Sequence, residues 1–189
     1  MSPITHFLVG WVTANTFELS PRERATVAVA GVASDVDGVG IVAEYLTRNW
    51  EEPLLWYSKY HHVLGHNLAF ALVCGVIGFA IGKRKWTTAL LAFLAVHLHL
   101  LGDLVGSRGP GGHDWPIHYL FPFSDAWVWT WQGQWALNAW PNFVVTGLVL
   151  VITFHLAWKR GVSPLEMVSP SANTAFVDTL RRRFPPRSA

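Results

Sequence analysis

The stretch from Trp86 to Asp103, WTTALLAFLAVHLHLLGD, constrains this chain more than any other. It holds no Asp, Glu, Lys or Arg before its last residue, yet it carries His97, His99 and Asp103. In a helix, residues four apart stack on one face, so His99 and Asp103 lie one above the other. A His-x-x-x-Asp pair placed this way offers two ligands to a single ion. Ionisable groups inside so apolar a segment are costly, and their default reading is functional. His97 points about 160° away from His99, two residues at ~100° each, and belongs to another face.

Four further apolar stretches accompany it, at residues 2–20, 25–42, 66–82 and 139–158. Hydrophobic residues make up 51% of the 189 and charged residues 14%, against about 25% charged in ordinary soluble domains. The expected fold is therefore all-α, an integral membrane helical bundle of four to five spans. The helical membrane domain covers residues 1–160, with a long Gly-, Pro- and Trp-rich loop at 104–138. Residues 161–189 form a polar tail with four Pro and four Arg, read as loosely ordered. The N-terminal stretch has no Lys or Arg before its apolar part and is interrupted by His6, Asn15 and Glu18. It is read as part of the mature protein rather than as a signal peptide. The single cysteine, Cys74, excludes an internal disulfide and a cysteine-based zinc site.

Charge placement predicts a topology. If the five stretches alternate, Arg22, Arg24, Lys83, Arg84, Lys85, Lys159, Arg160, Arg181, Arg182, Arg183 and Arg187 share one side. Only Arg48, Lys59 and Arg108 fall on the other. The positive-inside rule makes the basic side cytoplasmic. The basic tail has no interleaved aromatics of the kind that mark nucleic-acid binding. Membrane lipid is the expected partner, and the loop tryptophans at 115, 127, 129, 131 and 135, with Trp140, are expected at the interface.

Counting helix rise from the basic clusters puts His6, Asp35, Asp37, His66, His99 and Asp103 at similar depths, roughly 16–27 Å along their helices. They come from different helices, yet gather toward the side away from the positive charge. Each has a bland reading: a helix-end hydrogen bond for His99 and Asp103, an exposed turn for Asp35 and Asp37, a helix start for His6, and a cap for His66. Their common level favours a site. Imidazole and carboxylate without thiolate suit zinc, manganese or iron. Zinc is the first expectation, as one ion or as two held about 3.5–4 Å apart.

The order of these residues resembles a known family. Thr5-His6 is followed by Ser34-Asp35-Val36-Asp37, then by His61-His62-Val63-Leu64-Gly65-His66-Asn67. His99-Leu100-Leu101-Gly102-Asp103 and Leu120-Phe121-Pro122-Phe123 come after. This pattern, over residues 1–125, is similar to that of the YdjM-like family of bacterial membrane proteins assigned as metal-dependent hydrolases. Ser34, His62, Gly65 and Asn67 stand where that family usually has Pro, Arg, Thr and Ser. More distantly, the His-x-x-x-Asp resembles that of zinc-dependent phospholipase C and P1-type nucleases. The resemblance implies metal ligation by His6, Asp35, His66, His99 and Asp103. Asp37 and His61 are then candidates for the catalytic proton-transfer step, for ligation, or for support behind the ligands.

The expected function is metal-dependent hydrolysis by a metal-activated water, with a lipid-derived phosphoester as the natural substrate. Two rivals differ in class. A haem- or quinone-binding protein would use histidines on facing helices, and a visible spectrum would reveal it. A transport-type or structural membrane protein would spread polar groups through the whole bilayer rather than at one level.

Overall fold

A computed structural model of the chain describes residues 1–109 and 114–185. His113 and Arg187 lie outside the described residues. The architecture is all-α, with one small hairpin.

Local sequence chemistry sets the helix starts. In α1 (Pro3–Ala14), Pro3 occupies the first turn and the Ser2 side chain accepts from the Thr5 amide. In α2 (Pro21–Ala33), Ser20 and Glu23 form a capping box around Pro21. A 3-10 segment (Ser34–Val39) then leads directly into α3 (Gly40–Thr47). Together, residues Pro21–Thr47 make a helical run of 27 residues. A short helix α4 (Trp56–Tyr60) precedes α5 (Leu68–Ile81), which is capped by the Asn67 side chain accepting from the Phe70 amide at 2.8 Å. The opening stretch becomes α6 (Lys85–Gly106). After the loop come α7 (Trp140–Arg160), a 3-10 turn (Pro164–Met167) and α8 (Pro170–Arg183).

Among the described residues, three helical segments are long and apolar enough to cross a membrane: Pro21–Thr47, Lys85–Gly106 and Trp140–Arg160. The stretches expected at 2–20 and 66–82 become α1 of 12 residues and α5 of 14. At 1.5 Å per residue these reach only about 18 and 21 Å, short of the ~30 Å hydrocarbon core. Large apolar side chains remain exposed along α5, α6 and α7, among them Leu72, Val76, Leu90, Phe143, Leu148 and Val151. An apolar surface of this extent needs a bilayer around it.

Small residues let the helices approach closely. A Cβ on Gly31 would sit 2.8 Å from the His6 carbonyl oxygen, and one on Gly78 would sit 2.9 Å from that of Thr88. These positions join α1 to α2 and α5 to α6. Trp11, Val27, Ala71, Ala92, Val96 and Leu100 fill the interior between the four helices.

The basic groups do gather at one end. The Arg24 guanidinium makes two hydrogen bonds to Glu166, at 2.6 and 2.7 Å. The Glu23 carboxylate accepts from the Arg84 amide (2.7 Å) and the Thr88 hydroxyl (3.1 Å). Arg160 donates to the Asn15 carbonyl, and Arg181 to that of Trp158. The start of α2, the α5–α6 turn and the end of α7 are thus bound together. This corrects the expectation for the tail: residues 164–183 are folded onto the bundle. Ser169 and Pro170 start α8, and the arginines in its last turn suit the helix dipole.

The other end is closed by the loop after α6. The Gln134 amide and the Ser107 hydroxyl both donate to the Asp103 carbonyl, at 2.8 and 2.7 Å. Asn142 donates to the Gly106 carbonyl at 2.8 Å. These partners satisfy the carbonyls that a helix end leaves open. Strands β1 (Ile117–His118) and β2 (Val128–Trp129) pair antiparallel within the loop, with Ile117 opposite Trp129.

Candidate metal centre

Four residues from three regions of the chain converge: Asp35, His66, His99 and Asp103. One ligand atom from each lies within 4.8 Å of all the others. On α6 the i, i+4 spacing works as expected, with His99 Nε2 3.0 Å from Asp103 Oδ2. The turn before α5 brings His66 Nε2 to 3.3 Å from the same oxygen. The 3-10 segment places Asp35 Oδ1 3.6 Å from His99 Nε2. His66, His99 and Asp103 are at most 2% exposed.

The outer nitrogens define which tautomers these rings hold. His99 Nδ1 donates to the Gly31 carbonyl at 2.9 Å, and a carbonyl can only accept. His66 Nδ1 donates to the Asp37 carboxylate at 3.0 Å. A neutral imidazole that donates through Nδ1 presents a lone pair at Nε2. The two Nε2 atoms are only 3.1 Å apart. With both rings neutral, two lone pairs and two carboxylates face one point, an arrangement that either a bound cation or a second proton on His66 relieves. Two nitrogens bound to one zinc ion at 2.0–2.1 Å would stand roughly 2.9–3.4 Å apart. The buried Asp35 Oδ2 has no hydrogen-bond partner among the described residues, another sign that this donor set expects a ligand. The residues fit a divalent metal.

The remaining sequence candidates surround this group. His6 Nε2 donates to Asp103 Oδ1 at 3.0 Å, and its ring stacks on His99 with centroids 3.7 Å apart. It grips the outer oxygen of Asp103, which the α-amino group of Met1 also meets. His6 is thus beside the converging group rather than within it. Asp37 stands behind His66: it accepts from His61 Nδ1 (2.7 Å), the Gly65 amide (2.9 Å) and His66 Nδ1. With both oxygens engaged, Asp37 acts as an orienting carboxylate. His61 lies a further layer out, against Tyr57 and Trp115. The sequence expectation of proton transfer by Asp37 and His61 meets one group directly behind His66 and another behind Asp37.

Sequence reasoning marked His62 as standing where the family usually has Arg, and Trp115 only as an interfacial residue. His62 is buried, with Nε2 3.8 Å from Asp103 Oδ2. Burial first, and then the neighbouring His66, push its imidazole down to about 2, so the ring is neutral. Trp115, one of the tryptophans expected at the membrane interface, packs over His62 and His61 with centroids 4.6 and 4.9 Å apart. His97 turns away, to the Tyr119 hydroxyl at 2.9 Å, as its angular position requires.

An apolar helical bundle with a buried His/Asp donor group toward one end defines a membrane protein with a candidate metal centre. The family model for the YdjM inner membrane protein matches residues 1–179. The chain belongs to that family and is an inner membrane protein. No curated protein and no solved structure matches it.

Proposed function

We propose that the chain is a membrane-bound, metal-dependent hydrolase acting on a phosphoester, with a lipid-derived substrate the natural choice. The observation that carries this reading is the pair of Nε2 atoms 3.1 Å apart, both with their Nδ1 protons committed elsewhere. Asp35, His66, His99 and Asp103 would hold the ion, zinc being the first candidate. A divalent ion there supplies a Lewis acid and a water whose pKa falls toward about 7. The chain's own residues fix the arrangement. Asp37 and the Gly31 carbonyl set the tautomers, His6 holds the outer Asp103 oxygen, and Trp115 covers the turn that carries His61 and His62.

In this reading the basic end of the bundle is cytoplasmic and the centre faces the extracytoplasmic side. The rivals fare less well. Two nitrogens 3.1 Å apart leave no room for a macrocycle between them. A transport path would continue below the centre, but the buried α6 residues there are Leu91, Ala92, Ala95 and Val96. The test is turnover. Zinc-loaded protein in detergent is offered a panel of phosphate mono- and diesters that includes phospholipids and lipid phosphates. Hydrolysis by the wild type, abolished in Asp103→Ala, is expected. A fully loaded protein that cleaves none of them would overturn the proposal.

A further inference from the structure

His62 has a cost that nothing in the fold repays. Its φ is +67°, the only positive value at a non-glycine residue among those described. The residue is 2% exposed, and its buried Nδ1 has no hydrogen-bond partner among the described residues. Its Nε2 comes closest to Asp103 Oδ2, and 3.8 Å is beyond hydrogen-bond length. The ring is nevertheless held firmly, between His66 (centroids 4.4 Å, planes 23° apart) and Trp115 (4.6 Å, 37°). The Val63 and Leu64 amides both donate to the Tyr60 carbonyl and close the turn that aims it.

Buried polar rings are normally paired, and strained residues persist where the site needs them. His62 Nε2 looks toward the same carboxylate oxygen that meets His66 and His99. It lacks what those two have. Each of them anchors its outer nitrogen on a carboxylate or carbonyl, as metal-bound histidines do, and His62 anchors nothing. An oxygen about 2.9 Å from Nε2 would give that nitrogen the partner it lacks.

We propose that His62 is a substrate-binding residue of this centre, its Nε2–H donating to a phosphoryl oxygen of a phosphoester held at the Asp35–His66–His99–Asp103 group. The role rests on the hydrolase reading above. It gives the site an imidazole N–H where a phosphoryl oxygen would lie.

The test compares wild type with His62→Phe, which keeps the stacked ring, and His62→Asn, which tolerates the left-handed backbone. Each full-length protein is loaded with zinc in detergent. Metal content is measured by elemental analysis, and inorganic phosphate affinity by calorimetry. Both variants are expected to keep wild-type metal content and to bind phosphate roughly 10- to 100-fold more weakly, the worth of one hydrogen bond to a charged partner. Unchanged phosphate affinity would overturn the role. So would loss of metal from folded His62→Asn, which would make His62 a ligand, and so would a metal-loaded wild type that does not bind phosphate. A wild type that takes up no metal removes the hydrolase reading itself, and this role with it.

Discussion

Asp37→Asn is the perturbation that most sharply separates a supporting carboxylate from a ligand. Asp37 receives three hydrogen bonds, from His61 Nδ1, the Gly65 amide and His66 Nδ1, and its side chain is fully buried. Asparagine keeps the shape but has one acceptor oxygen. That oxygen can stay with Gly65 and His66, which leaves the amide N–H facing His61 Nδ1 and forces the His61 proton to move. His66 then keeps its orientation but loses the charge behind it. Outer partners of metal-bound histidines are worth about 10- to 100-fold in metal affinity, or about 1.4–2.7 kcal/mol. Zinc affinity is measured in detergent against a series of zinc buffers, with Asp103→Asn alongside. Asp37→Asn should shift the curve by that amount while still reaching full occupancy, and Asp103→Asn should abolish it. Unchanged affinity in Asp37→Asn would refute the supporting role. Loss as complete as in Asp103→Asn would make Asp37 a ligand.

Three other outcomes follow from the geometry. A Cβ on Gly65 would lie 2.3 Å from the Ser34 carbonyl oxygen, against the Ser34 backbone. Gly65→Ala should therefore destabilise the protein by about 1–3 kcal/mol and weaken metal binding, as read by thermal unfolding with and without zinc. Ligand histidines bind metal only when neutral, so protons compete with the ion. Burial pushes the His66 imidazole down, but its hydrogen bonds to Asp103 and Asp37 outweigh this and raise it to about 9, so zinc affinity should fall as pH drops through that value. A pH-independent affinity between 5 and 8 would contradict ligation by His66 and His99. Arg24→Ala strands Glu166, whose side chain is 8% exposed. It should cost about 3–5 kcal/mol and open the segment after α7 to limited proteolysis, with little effect on zinc affinity.

The sequence made part of this architecture legible because periodicity is a local property. His99 and Asp103 could be paired from spacing alone, and the depth count brought Asp35 and His66 to their level. The division of labour between Asp35 and Asp37 was hidden. Residues two apart in a 3-10 turn point about 240° from each other, so one carboxylate enters the donor group while the other passes behind His66. Nothing in the string announces that Ser34–Val39 is 3-10 rather than α-helix. His62 could be marked only by standing where the family usually has Arg; its place depends on a left-handed backbone (φ +67°) that the sequence does not announce. The tail was misjudged on composition, although Ser169-Pro170 and the arginine triplet at 181–183 carry a helix's start and stop signals. Its packing partners, Glu166 with Arg24 and Arg181 with Trp158, are distant in the chain and could not be read from it.

The central claim is that His66 and His99 face each other across a metal ion. Elemental analysis of the purified, detergent-solubilised protein, beside His99→Ala and Asp103→Ala, addresses it most directly. The account predicts one or two equivalents of zinc, manganese or iron in the wild type, lost from both variants while they remain folded. A wild type prepared without chelator that carries no stoichiometric metal, or variants that keep it, would contradict the account.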